Sequence, residues 1–326
     1  QSARNFANKI WNAARFVLTA NPPHLNAAHG GDLASRWIES RLNATISEVT
    51  RALDAYEFES ATSTLYSFIW NDFCDWFLEV SKPQLRAGDQ NHAAFMAHIL
   101  ETSMRLLHPF MPFISEEIWA KLPHEGESLA LANWPQPENA VGGQSIFAAG
   151  SEASQFLQEA VSFGFGLDDV EADFALIQDA IRTARNLRAQ AHIPPGKKLN
   201  VTFVALNEYA ASVLRNGTAY LTQLANLEVA HIVSADAMRP QNAVSTQLAE
   251  IEVILPLEGL VDVEAERAKL EKQLETARKE HAKVVAKLGN ESFTAKAPPA
   301  VVAENRARLE DFASQIEKLS ERLTAL

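Results

Sequence analysis

The chemistry that this sequence offers rests on basic and aromatic side chains at helical spacing. Arg4, Asn8, Trp11 and Arg15 recur at i, i+4, i+7 and i+11, so on a helix they share one face. Guanidinium groups beside an indole can hold a phosphate and stack a base. Trp11 is open to either reading, a stacking ring or an ordinary surface ring. Arg182, Arg185 and Arg188 step by three within a stretch, 180–207, that contains no Asp or Glu. Such a row is either a solvated ridge favoured by the negative end of a helix or a phosphate-facing one. Arg278, Lys279, Lys283 and Lys287, with Lys296, crowd against only Glu280 and Glu291.

These groups stand out against an acidic background. The chain has 29 Lys and Arg against 41 Asp and Glu, a net charge of −12, which taken whole argues against a polyanionic partner. The three segments 1–31, 180–207 and 278–296 are each net basic. An acidic body with separated basic patches can still bind a polyanion at chosen places.

Catalytic constellations are missing. The sequence holds no G-x-x-x-x-G-K-[ST] loop, its Gly164-Phe165-Gly166 is an isolated G-x-G, and its nine histidines form no H-E-x-x-H. His108, beside Pro109 in an apolar corner, reads as a corner histidine bonded to backbone rather than as a base. Trp70 and Trp76 fall within apolar stripes and read as core; Trp119 is the remaining stacking candidate. The single cysteine, Cys74, excludes a disulfide framework and a cysteine-based zinc cluster. No run approaches 18 uncharged apolar residues, so no membrane span is expected. With no signal peptide at its start, the chain is expected in the cytoplasm. At 326 residues it should contain two or three domains, and opening at Gln1 inside a helical pattern it reads as the C-terminal piece of something larger.

The elements that must position these groups follow from hydrophobic period. A helix over about 3–18 buries Phe6, Ile10, Ala13 and Val17 and stops at Pro22-Pro23. A second, capped by Asp32, carries Ile38, Leu42, Ile46, Val49 and Leu53. A third spans about 58–81, with Pro83 and Gly88 ending it, and a fourth spans 90–107. Ser115 is placed to cap a last short helix with Glu116 and Glu117 in its first turn. Short connections make residues 1–122 an antiparallel bundle. Residues 123–150 read as a linker laid over it, and 151–261 as a small α+β module. Its parts are a helix over 169–191, strands at 199–206, 227–233 and 251–257, and two short helices between 207 and 226.

From 262 onward the seam changes character. Leu270, Leu274, Ala277, His281, Val284 and Leu288, then Val302, Asn305, Leu309, Phe312, Ile316, Leu319, Leu323 and Leu326, alternate steps of three and four. Two matched heptad seams around a break at Gly289-Asn290 predict an antiparallel coiled-coil hairpin, with an arm of roughly 40 Å. Phe293 is placed to clasp the turn. The fold class expected is mainly α: bundle, small α+β module, coiled-coil arm.

Several stretches resemble one family. Arg4-Asn5-Phe6-Ala7-Asn8-Lys9-Ile10-Trp11-Asn12-Ala13-Ala14-Arg15-Phe16 resembles the helix that follows the catalytic domain of valyl-tRNA synthetases. Phe73-Cys74-Asp75-Trp76-Phe77-Leu78-Glu79 followed by Lys82-Pro83 is similar to their FCDWYLE…KP stretch, with Phe77 where Tyr is common. Leu107 to Trp119 is similar to the LHPFMPFITEEIW signature shared with the isoleucine and leucine enzymes. Arg185-Asn186-Leu187-Arg188-Ala189 and Pro194-Pro195-Gly196-Lys197 match the next family segment. Phe293-Thr294-Ala295-Lys296-Ala297-Pro298 resembles the turn of the valyl arm and is the part that separates valine from its neighbours.

The resemblance covers essentially the whole chain, but the H-I-G-H and K-M-S-K-S motifs that hold ATP are absent, as is the inserted editing domain. It therefore implies the tRNA-binding C-terminal region of a class I aminoacyl-tRNA synthetase, without catalysis of its own. The implied partner is tRNA(Val), read at the anticodon stem-loop by the bundle and at its outer corner by the arm. DNA and membranes are not expected partners, and a monomer is. No cofactor is implied for these residues, whereas the parent enzyme uses ATP with magnesium. Carried over residue by residue, Arg4, Asn5, Lys9, Asn12 and Arg15 become the bundle contacts, and Arg278, Lys279, Lys283 and Lys287 the arm contacts. Two alternatives stay in place, a bundle and hairpin adaptor with no RNA role and the same region of an isoleucyl- or leucyl-type enzyme.

Overall fold

In a computed structural model the described residues are 2–23, 31–137, 169–240, 242–257, 263–289 and 299–324. The Gly164-Phe165-Gly166 run, the second half of the linker and the turn from Asn290 to Pro298 lie outside them. The chain forms two compact units. One comprises 1–186, 195–238 and 245–254, the other 187–194, 239–244 and 255–326.

In the first unit, α1 (Ser2–Thr19), α2 (Leu33–Asp54), α3 (Phe58–Ser67), α4 (Leu78–Arg86), α5 (Gln90–Leu107) and α6 (Pro112–Trp119) build the bundle. The expected stripes are inside: Phe6, Ile10, Ala13 and Val17 of α1, and Ile38, Leu42, Ile46 and Val49 of α2, are buried. Asp32 caps α2 as its sequence position predicts, accepting from the Ser35 amide at 2.7 Å. Residues 123–137 do lie on the bundle. The Trp134 indole donates to Thr50 Oγ1 at 2.9 Å, and Arg105 reaches the Asn133 carbonyl at 3.2 Å.

Four local expectations need correction. The third helix does not end before Pro83. Residues 58–86 form one continuous rod whose middle, Phe68–Phe77, is π-helical, and Pro83 lies inside α4. A proline there leaves the carbonyl four residues earlier without its amide donor. That carbonyl belongs to Glu79, and Gln223 Nε2 donates to it at 2.7 Å. The chain then turns at Gly88, whose φ of +77° suits glycine.

Ser115 is not a cap. It is the fourth residue of α6, fully buried, and its hydroxyl lies 2.9 Å from the Met111 carbonyl and 3.1 Å from that of Pro112. Since its single proton serves those carbonyls, the oxygen accepts from His108 Nδ1, 3.0 Å away. The corner histidine is thus held by a side chain rather than by backbone. Trp70, read as core, is only half-buried, whereas Trp76 and Trp119 are buried.

The α+β part follows with α7 (Val170–Gln190), β1 (Leu199–Ala205), α8 (Glu208–Asn216), α9 (Thr218–Leu224), β2 (Leu227–Ser234), β3 (Ala243–Gln247) and β4 (Ile251–Pro256). The sheet order is β2-β1-β4-β3, with β1 parallel to β2 and antiparallel to β4. The parallel β1–β2 pair is made possible by the two helices that cross over between them. β3 escapes sequence reading because Ala243-Val244-Ser245-Thr246-Gln247 is a short, half-exposed edge with little apolar content. Phe174 of α7 is fully buried and locks this part onto the bundle. Its ring stacks on Trp37 at 4.2 Å and meets Trp76 and Tyr220 edge-on at 6.4 and 6.0 Å. At the α8–α9 junction a Cβ on Gly217 would meet the buried Ile177 side chain, which would have to shift to admit it.

The second unit is dominated by α10 (Val263–Leu288) and α11 (Pro299–Thr324). Leu274, Ala277, Val284 and Asn305 are buried and His281, Leu288, Leu309, Phe312, Ile316 and Leu319 half-buried, so this part of the heptad seam forms as spaced, while the side chains of Leu270, Val302, Leu323 and Leu326 lie outside those described. One open groove is lined by Lys272, Gln273 and Glu280 on one side and by Phe312, Gln315 and Leu319 on the other. The two helices run antiparallel, as a hairpin requires. Among the described residues no helix is long and apolar enough to cross a membrane.

Candidate nucleic-acid interface

Helix α1 divides cleanly. Opposite its buried stripe, Arg4, Asn5, Asn8, Trp11, Asn12 and Arg15 are exposed, with Trp11 at 39%. Two guanidinium groups, three amides and an indole thus share an open surface that contains no carboxylate of its own helix. That surface can hydrogen-bond phosphate oxygens and stack a base.

Lys9 does not belong to the open row. Its amine lies 2.5 Å from Asp75 Oδ1 and 3.8 Å above the Trp70 ring centroid. Asp75 and Trp70 come from the π-helical segment, 66 and 61 residues away in sequence, so no spacing rule reveals the pairing. Trp70 stacks in turn on Tyr66, with centroids 5.5 Å apart and planes at 14°. Tyr66, 38% exposed, is a candidate contact that sequence reading missed. Its position before an apolar run gives no hint that it faces outward.

The arginine row of α7 breaks up. Arg182 pairs with Asp179 at 3.0 Å and lies 5.1 Å from the Trp76 ring. Arg185 donates through Nε and Nη2 to the Leu224 carbonyl, at 2.9 and 2.7 Å, fastening the end of α9. Arg188 is only 6% exposed. Of the two readings of the row, these positions weigh against a continuous phosphate-facing ridge, because one member is buried and another bonds a backbone carbonyl. Nor is the 180–207 stretch acid-free in space: Lys198 lies 3.7 Å from Glu228. A partly buried ionic knot stands nearby, where Arg41 binds Asp72 at 3.0 Å and Glu171 at 3.3 Å. Burial pushes the Asp72 carboxyl up despite that pairing.

On the arm, Arg278, Lys279, Lys283 and Lys287 are all exposed. Lys279 pairs with Glu275 and Lys283 with Glu280, each at 2.6 Å and each within α10. Exposed pairs of this kind hold their partners weakly, so the amines remain exchangeable for phosphate. Lys296 lies outside the described residues. Among the described residues no group of three His, Cys, Asp or Glu could hold a metal ion. Cys74 is buried, which pushes its thiol up to about 12 and makes it unreactive.

A bundle with an exposed face of arginines and amides, followed by a coiled-coil arm, is the architecture to compare with known proteins. Residues 35–203 match the family described as the anticodon-binding domain of tRNA ligase, more than half of the chain, and the chain belongs to that family. Residues 262–326 match the valyl tRNA synthetase tRNA binding arm. Curated relatives named valine–tRNA ligase include those of Listeria innocua, 37% identical over 334 residues, and Geobacillus stearothermophilus, 37% over 330. That of Bacillus subtilis is 36% identical over 336 residues. The alignments cover 99 to 100% of this chain and 35% of each relative, so the chain spans about a third of their length.

Proposed function

We propose that this chain is the tRNA-holding part of a valine–tRNA ligase of the cytoplasm. The bundle takes the anticodon stem-loop of tRNA(Val) on the open face of α1, through Arg4, Asn5, Asn12 and Arg15, with Trp11 available for stacking and Lys9 as a conditional contact. The arm takes the outer corner of the same RNA, through Arg278, Lys279, Lys283 and Lys287. Aminoacylation with ATP and magnesium is the activity of the whole ligase. This chain, lacking H-I-G-H and K-M-S-K-S, contributes affinity and placement, acts as a monomer and uses no cofactor.

The observation that carries the reading is the coincidence of two matched tRNA-binding regions with two exposed basic surfaces in a chain of net charge −12. A filter-binding titration with tRNA across salt concentrations tests it. With about four to six phosphates engaged, the affinity should fall with a log–log slope of roughly −3 to −5. Binding that ignores salt, or none at low salt, sinks the reading in favour of an adaptor.

A further inference from the structure

Lys9 stands apart from its neighbours on α1. Asn5 and Asn12, one turn away on either side, are exposed, whereas the Lys9 side chain is 23% exposed and lies between a carboxylate and an indole face. The pair is not needed to hold α1 in place. Phe6, Ile10, Ala13 and Val17 already bury that helix, and an ion pair whose acid is 50% exposed adds little to stability. Its electrostatic consequence is larger. Asp75 neutralises the amine at the edge of the open, cationic face of α1.

We propose that Lys9, Trp70 and Asp75 form a gated cation. The amine is stored on the indole, neutralised by Asp75, and handed to a phosphate only when the RNA is seated closely enough to displace the carboxylate. Asp75 is then a specificity-determining residue of this face, one that raises the threshold for every polyanion and penalises loosely placed ones most. Trp70 is the positioning residue. Its cation–π contact keeps the amine at the surface of the π-helical segment while the carboxylate is exchanged. The inference rests on α1 being the RNA-binding face.

The test uses the full chain with Asp75→Asn, Lys9→Met and the double variant, each titrated with tRNA(Val) and with bulk tRNA. Asp75→Asn should tighten binding by about 3- to 10-fold, roughly the worth of one freed surface cation, and more for bulk tRNA than for tRNA(Val). Its salt slope should steepen by about 0.7 to 0.9, one added phosphate contact. In the Lys9→Met background the same change should have little effect. A second measurement needs no RNA: acylation of Lys9, followed by mass spectrometry, should quicken in Asp75→Asn relative to exposed lysines such as Lys279. The gate is overturned if Lys9 reactivity is unchanged, or if the gain in affinity persists in the Lys9→Met background, which would mean a diffuse charge effect. If the unaltered chain binds no tRNA, the proposed function fails and the gate falls with it. If it binds and Asp75→Asn does not tighten it, only the gate fails.

Discussion

The bundle unit and the coiled-coil arm handle their charges differently. In the bundle unit two of the candidate cations are held by groups distant in sequence, Lys9 by Asp75 and Trp70 and Arg185 by the Leu224 carbonyl, whereas Arg182 pairs locally with Asp179 and Arg4 and Arg15 are exposed. In the arm Lys279 and Lys283 pair with acids three or four residues away on the same helix. The contrast follows from packing. A bundle closed by Phe174, Trp37 and Trp76 brings remote segments together, so a basic side chain there acquires structural duties. A two-helix hairpin has one seam and two solvated flanks, so exposed pairs such as Lys279–Glu275 and Lys283–Glu280 are easily redirected. Basic residues at equal sequence density are therefore not equally available: Lys9 and Arg185 are committed within the bundle unit, whereas the exposed pairs of the arm can be exchanged for phosphate.

Substitutions that probe each side sharpen this contrast. The largest effect is expected for Phe174→Ala, which removes a fully buried ring from the packing between bundle and sheet. Denaturant unfolding of the bundle unit should lose about 3–5 kcal/mol, with helicity of the arm retained. Leu274→Ala in the seam should cost less, about 2 kcal/mol, because only Leu274, Ala277, Val284 and Asn305 of its described seam residues are buried and the hairpin can close over the gap. It should melt the arm alone, read as a lost low-temperature transition in circular dichroism; joint melting of both units would break the contrast. Arg185→Ala should cost about 1 kcal/mol, the worth of its bonds to the exposed end of α9. It should lower stability with tRNA affinity nearly unchanged. The reverse outcome would return Arg185 to the RNA-facing set.

How much of this was legible in the sequence depends on the range of the interaction. The α1 stripe, the Asp32 cap and the heptads of the arm are local patterns, and each predicted the element that formed. The π-helical middle of the 58–86 rod and the passage of that rod through Pro83 were not legible. Both depend on partners far along the chain, such as Gln223 on the Glu79 carbonyl. The same holds for the candidate site. The face of Arg4, Asn8, Trp11 and Arg15 is a matter of helical period. The burial of Arg188 and the capture of Lys9 are tertiary events that spacing does not encode.

The central claim, that the chain grips tRNA through exposed charge on the arm as well as through the bundle, is tested most directly by charge reversal. Lys279, Lys283 and Lys287 change together to Glu in the full chain, and tRNA affinity is measured by filter binding across salt, with helicity checked by circular dichroism. None of the three lies on the seam, so the hairpin should stay folded. The account predicts a loss of at least tenfold at low salt, with a slope shallower by about 2 to 3. Unchanged affinity and slope in a folded arm would contradict it.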